Sequence, residues 1–320
     1  MKKRRSSVVI AGLAFGLAGG VLFSTYILAP NLPGGTTSQG VSAAHQREQA
    51  QADAEINAAQ ADSADLFVNS FAKTAVTNTL KDKSILVLRS ADASDDDVAG
   101  LQRLVTQSGG KDAGTITLSE KFFEQSGADE LKTIVTNTLP AGAKLSENRL
   151  DPGTHAGEAI GSMVLLKPDS EQPQASAEER KLGLTALKEA GFIEGNTDDI
   201  SPAHGVIFVV GDSNGSKDHG FAETSQAAFS YALDSRGGDV VVAGQINTAS
   251  SNGVVGKIRA DEKMRSSVST VDSINRSWAK VAAVIATSQQ LAGKHGAYGA
   301  AANADAVSPA IMAPQPARQE

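Results

Sequence analysis

Cysteine is absent from all 320 residues, and its absence removes several chemistries at once. There is no disulfide framework, no thiolate nucleophile, no zinc site of the usual structural kind and no soft thiolate site for a metal such as Cu(I). A chain of this size does not need disulfides, because it can bury an adequate core without them. Aromatic residues are scarce, at 4% against 41% hydrophobic residues overall, so the core has to come from Val, Ile, Leu and Ala. Positive charge is also short. Lys+Arg number 29 against 36 Asp+Glu, and without Lys2, Lys3, Arg4 and Arg5 the balance is 25 against 36, or −11. That balance argues against nucleic acid, and against anionic lipid headgroups, as the main partner of everything beyond the N-terminus.

Catalytic and cofactor motifs are missing as well. Gly211, Gly215 and Gly220 have the wrong spacing for G-x-G-x-x-G, no G-x-x-x-x-G-K-[ST] occurs, and no glycine-rich turn follows residues 85–88. Gly211-Asp212-Ser213 resembles the G-D-S nucleophile of some esterases. Such enzymes also place Asp-x-x-His late in the chain, whereas the residue three before His295 is Ala292. A strand-to-helix turn that contains Asp and Ser is the better account. His45, His155, His204, His219 and His295 form no H-x-H or H-x-x-x-H pair, and Met1, Met163, Met264 and Met312 form no Met-x-x-Met array. Asp95, Asp96 and Asp97 sit where a helix N-terminus wants carboxylates, the alternative being a weak cation site at the C-terminal edge of a sheet. The expectation is therefore a non-enzyme with no catalytic residue, no bound cofactor and no assignable metal ligand. Strands alternating apolar and polar over about ten residues are missing too, which excludes a transmembrane β-barrel pattern.

What the chain does have is one long apolar run. Residues 8–29 (VVIAGLAFGLAGGVLFSTYILA) carry no charge and follow four consecutive basic residues. As a helix the run reaches roughly 33 Å, enough to span a bilayer core. It is too long for the apolar part of a cleaved signal peptide, and Ile27 and Ala29 make a poor cleavage site. The basic flank predicts a cytoplasmic N-terminus, residues 1–7, with the rest of the chain outside the cell membrane. Gly12, Gly16 and Gly20 fall four apart on one helix face, a doubled G-x-x-x-G that allows close helix association. Membrane lipid and a second copy of the chain are thus the expected partners.

After a Pro/Gly-rich break at residues 30–40, residues 41–80 read as a helical stalk. Ala43, Ala50, Ala54, Ala61, Ala64 and Val68 form a coiled-coil-like seam, and Leu66, Phe67, Phe71, Ala75 and Val76 form an apolar stripe expected to dock on the next domain. Residues 84–89 (SILVLR) read as a strand buried on both faces. A helix capped by Ser94 and Asp97 and a strand at residues 115–118 follow, giving β-α-β and a parallel sheet. Further helices are expected from Ser126/Asp129, around residues 155–166, and from the Ser176/Glu179 capping box. Residues 167–175 read as a surface loop or joint. The strands at 205–211 (GVIFVVG) and 239–244 (DVVVAG), a helix at 223–233 and a last helix at 275–292 complete a second half. The expected architecture is an α/β fold of two similar halves, residues 84–166 and 176–299, with mainly parallel sheets and a disordered tail over residues 300–320.

The stretches SILVLRSADASDDDVAGLQRLV, TLSEKFF, LPAGAKLS and STVDSINRSWAKVAAVIATSQQLAGKHGAYG resemble the mycobacterial copper transport protein B family. So does the order of membrane helix, helical stalk and α/β domain, and the likeness covers residues 8–299. The resemblance implies a membrane-associated, channel-forming protein of the outer membrane, active in copper efflux and copper homeostasis, with copper as transported ion. It implies no particular ligand residue. The residues themselves suggest a different placement, because an apolar helix of this length would stop transfer at the inner membrane. A non-catalytic envelope scaffold that binds a partner is the other reading.

Overall fold

The structure is a computed structural model that describes residues 39–168, 170–217 and 220–310. The expected membrane helix at residues 8–29, with Gly12, Gly16 and Gly20, lies outside the described residues, as do residues 311–320. Among the described residues no helix is long and apolar enough to cross a membrane. Contacts divide the chain into two units, Met1–Gln60 and Ala61–Glu320. The first contains the helical residues 39–60, the start of α1 (Gln39–Val76).

In the second unit, seven strands form one sheet in the order β3-β2-β1-β4-β5-β6-β7. They are β1 (Ser84–Ser90), β2 (Lys111–Leu118), β3 (Ile193–Glu194), β4 (Gly205–Val209), β5 (Val240–Ala243), β6 (Ser269–Val271) and β7 (Ala297–Tyr298). All neighbours run parallel except β2 and β3. The two expected halves therefore contribute to a single sheet, joined where β1 pairs with β4 from Ile85↔Gly205 to Arg89↔Val209.

Continuous apolar runs form the central strands because both faces are covered. Leu86, Leu88, Val206, Phe208, Val240 and Val242 belong to one core, and Ile85, Val87, Ile207, Val209, Val241 and Ala243 to the other. The second core is closed by α2 (Asp95–Gln107), by α10 (Ser277–Gln290) and by the end of α1. The first is closed by α3 (Glu120–Phe123), α4 (Ala128–Asn137), α5 (Pro152–Val164), α6 (Ala177–Glu189), α7 (Phe221–Asp234) and α8 (Val254–Ala260), with the short α9 (Glu262–Arg265) following. The scarce aromatics are concentrated here. Phe122, Phe123, Phe192, Phe208 and Phe229 meet in mostly edge-on pairs with centroids 4.9–6.3 Å apart. Helix α5 lies so close to α7 that a Cβ on Gly157 would stand 2.4 Å from the Phe229 carbonyl oxygen.

Four local expectations change. The stripe at the end of α1 docks through Val68, Ala72, Ala75 and Val76, with Asp65 3.0 Å from Arg276, while Leu66, Phe67 and Phe71 face solvent. One face of a helix can meet the domain, and here it is the face of small residues that also carries Asp65. Ser94 occupies the N-cap of α2 but its hydroxyl makes no capping bond, and the Asp97 side chain, which would reach back to the Ser94 N–H in a capping box, turns to Lys280 at 2.8 Å. Helix α4 starts at Ala128 behind Gly127, and the Ser126 hydroxyl donates to Glu124. By contrast, the Ser176/Glu179 capping box forms in both directions.

Residues 300–310 are not a loose tail. Asn303 accepts a hydrogen bond from Arg259 at 2.8 Å, Ala300 N–H donates to Asp272 at 2.7 Å, and Ala306 bridges to Tyr298. The physical reason is a buried charge. Arg259 and Asp272, both nearly inaccessible, pair at 2.8 Å and need the segment's polar groups to complete their hydrogen bonds.

Candidate functional site

The sheet order reverses between β1 and β4, so the helices that follow these two strands diverge and leave a crevice at the C-terminal edge of the sheet. Two short polar turns form its floor. Ser90, at the end of β1, accepts a hydrogen bond from the Gly211 N–H at 3.2 Å and donates to Asp92 at 2.5 Å. Gly211 has to be bare there, since a Cβ would stand 2.1 Å from the Asp92 carboxylate. The next residue, Asp212, is held by the backbone N–H and side-chain amide of Asn247 at 3.3 and 2.8 Å.

The crevice encloses a cavity of about 560 Å³. Five carboxylates line it: Asp92 and Asp212 on the floor, Glu120 and Glu124 around α3, and Glu223 in the first turn of α7. Lys217 is the one cation among the lining residues, and Phe123 supplies an apolar wall. Glu223 is only 5% exposed. The Ser213 hydroxyl donates to its Oε1, while Oε2 is buried with no hydrogen-bond partner. A buried carboxylate oxygen left unpaired is costly and rare, so it marks a site where something else supplies a donor. Chemically, the cleft attracts cations and repels phosphates. Among the described residues, no three His, Asp or Glu side chains are grouped so as to hold a metal ion.

The Asp95–Asp97 run does not form a cation site, because its members are divided. Asp95 pairs with Arg89 and Asp97 with Lys280. Ser213 of the G-D-S turn is committed to Glu223, and no described histidine accompanies it in the cleft. His219, in the same loop, lies outside the described residues, as does the side chain of His45. His155 is buried, its Nε2 3.0 Å from the Ser146 carbonyl, and His295 is exposed. His204 sits at the opposite edge of the sheet, beside a second cavity of about 380 Å³ lined by Lys83 and Lys167. Its Nδ1 accepts from the Ser84 N–H at 3.1 Å, so Nε2 carries the proton given to Glu171 at 3.0 Å. That hydrogen bond pulls the Glu171 carboxyl below its ordinary range. Ser84 is 2.8 Å from Nδ1, but its hydroxyl donates to the Pro202 carbonyl and is not a free nucleophile.

Sequence reasoning missed Glu223, Asp92, Glu120 and Glu124. The available signal was a carboxylate just past each of two apolar strands, Asp92 after β1 and Asp212 after β4. Glu223 carried no signal, being an ordinary first-turn helix residue.

The chain matches, over residues 1–309, the family model described as "Copper transport outer membrane protein, MctB". It is 34% identical over 227 residues to the copper transporter MctB of Mycobacterium tuberculosis, covering 70% of this chain and 72% of that protein. The same figures hold for the copper transporter MctB of Mycobacterium bovis. Against the copper transporter MctB of Mycobacterium leprae the identity is 32% over 248 residues, or 76% of this chain and 78% of the relative. Transport, the activity in these names, is not an enzymatic one.

Proposed function

Since this chain belongs to the family of the copper transport outer membrane protein MctB, we propose that it serves copper transport and copper homeostasis in the cell envelope as a membrane-anchored protein. The observation that carries the reading is the family match over residues 1–309. The apolar run at residues 8–29 supplies the anchor, its basic flank keeps residues 1–7 in the cytoplasm, and the α/β domain lies outside. A pore in this arrangement comes from assembled helices, with Gly12, Gly16 and Gly20 as the association face of a homo-oligomer. With no cysteine in the chain a thiolate site for Cu(I) is ruled out, and the donors that remain for copper are oxygen, imidazole and thioether. Deletion of the gene is expected to raise cellular copper and copper sensitivity, both restored by the intact copy. Unchanged copper tolerance together with an altered envelope would overturn the reading.

A second reading, an envelope scaffold that binds a protein partner through α1, is favoured by one observation. Leu66 and Phe67 are 72% and 69% exposed beside the folded domain, and Phe67 stacks edge-on with Phe71 at 4.8 Å. An apolar face of this kind is unusual on a helix that meets only water. Replacing Phe67 and Phe71 by Ser separates the two readings. Loss of envelope integrity at normal copper tolerance supports the scaffold; loss of copper tolerance alone supports transport.

A further inference from the structure

We propose that the cleft at the β1/β4 switch point is a binding site for an organic ammonium group, carried on a small molecule with an alkyl stem, and that Glu223 is its anchor. The proposal goes beyond the copper reading and does not rest on it.

Charge selects the ligand class first. Five carboxylates against Lys217 leave the cavity strongly acidic, so phosphates and carboxylates are disfavoured and a cation is preferred. Geometry then separates metal ions from organic cations. A metal ion needs several donors converging at one point, and no such group of three exists among the described residues. An ammonium makes no such demand. It carries three N–H donors that can reach oxygens on different walls, and it accepts a looser arrangement.

Glu223 is the independent observation. Glu223 lines the cavity, is only 5% exposed, and has one oxygen bonded to Ser213 and the other shielded from solvent and bonded to nothing. The missing partner is a donor, and a positively charged donor offsets the burial of the carboxylate as well. The cavity, about 560 Å³, exceeds what a bare ion requires. Phe123 and Ala222 line part of it and give an alkyl chain an apolar surface, while Glu120 and Glu124, both exposed, stand where a second amine would emerge.

The test is calorimetric titration of the full-length chain in detergent with 1,5-diaminopentane, with 1,5-pentanediol and magnesium chloride as comparators. We expect saturable one-to-one binding of the diamine, weakened by added salt, and none of the diol. Glu223→Gln should weaken it by about tenfold or more, since the charged hydrogen bond is lost while Ser213 keeps an acceptor. The pair Glu120→Gln and Glu124→Gln, at exposed positions that do not endanger folding, should weaken it less. The proposal is overturned if the diamine binds no better than the diol, or if the Glu223→Gln protein binds it as the parent does. Magnesium binding that Glu223→Gln abolishes, with no diamine binding, would also overturn it and assign the cleft to metal ions.

Discussion

Two buried charged groups lie at the same C-terminal edge of the sheet and are treated in opposite ways. Arg259, at the β6/β7 side, has a hydrogen-bond partner for each of its side-chain nitrogens. Its guanidinium reaches Asp272, Thr270, the Tyr298 carbonyl and Asn303 within 2.6–3.0 Å. Asp272 in turn accepts from the backbone N–H groups of Ala300 and Ala301. Gly299, at φ +144°, is needed for that approach, because a Cβ would stand 2.0 Å from the Asp272 carboxylate. Glu223, at the β1/β4 side, is equally buried but only half satisfied. The closed cluster ties α8, β6, β7 and residues 300–310 together, and nothing about it points outward. The open one sits against a cavity. Burial alone therefore does not distinguish a structural charge from a binding one; the count of satisfied hydrogen bonds does.

The comparison is broken most severely at its closed end. Arg259→Ala leaves the Asp272 carboxylate, 0% exposed, without its cation. The expected loss is about 3–5 kcal/mol of stability, the range for removing one partner of a buried pair. Thermal and denaturant unfolding of the full-length chain would measure it. Because residues 300–310 are held by the same cluster, proteolysis after residue 299 should accelerate in the variant protein. A loss below about 1 kcal/mol would mean that water or a rearranged side chain replaces the guanidinium, and the cluster would not be closed in the sense argued.

The difference between the two clusters also explains what could be read from the amino acids and what could not. Strands β1, β4 and β5 were legible as unbroken apolar runs, and α6 through its Ser176/Glu179 capping box. Strands β3, β6 and β7 were not, since two or three residues carry no periodicity. Residues 300–310 looked disordered because their composition is poor in core residues; what orders them is Arg259, some forty positions earlier. The docking face of α1 was misjudged for a related reason. Leu66, Phe67 and Phe71 are more apolar than Ala72 and Ala75, yet the face that docks is the one that carries Asp65 and its pair with Arg276. The cleft was half legible. Asp212 stood out after its strand, but its association with Asp92 and Glu223 depends on β1 lying next to β4, a pairing across 120 positions.

Asp234 is an intermediate case, and pH is the variable that places it. Its carboxylate is largely buried and accepts hydrogen bonds from Val240 N–H, Ser267 and Gln290, all neutral groups. Burial pushes its pKa above the ordinary 3.8, against the pull of those hydrogen bonds. A carboxyl raised in the folded state binds its proton more tightly there than in the unfolded chain. Its stabilising contribution is present below the unfolded value and is lost as pH rises through the folded one. Asp234→Asn should therefore gain stability relative to the parent as pH rises from the acid carboxylate range to neutral. Glu171, lowered by His204, has the opposite sign: its contribution is present above the ordinary carboxylate range and is lost as pH falls. A parent-minus-Asp234→Asn stability difference that stays flat with pH would remove Asp234 from the series.

The smallest effect on stability is expected at the open end, and there the argument is sharpest. Glu223→Gln keeps an oxygen for the Ser213 hydroxyl and replaces the unpartnered carboxylate oxygen by an amide NH₂. Losing a buried negative charge that has no cation is favourable, the buried amide NH₂ left without a partner is unfavourable, and the two offset, so the unfolding free energy should change by less than about 1 kcal/mol in either direction. If Glu223 were structural in the way Asp272 is, the same substitution would cost several times more. Stability and ligand affinity thus move apart at Glu223, whereas at Arg259 stability alone should fall. A large loss of stability in Glu223→Gln, measured by the same unfolding experiment, would place Glu223 with the closed cluster and leave the cleft without its anchor.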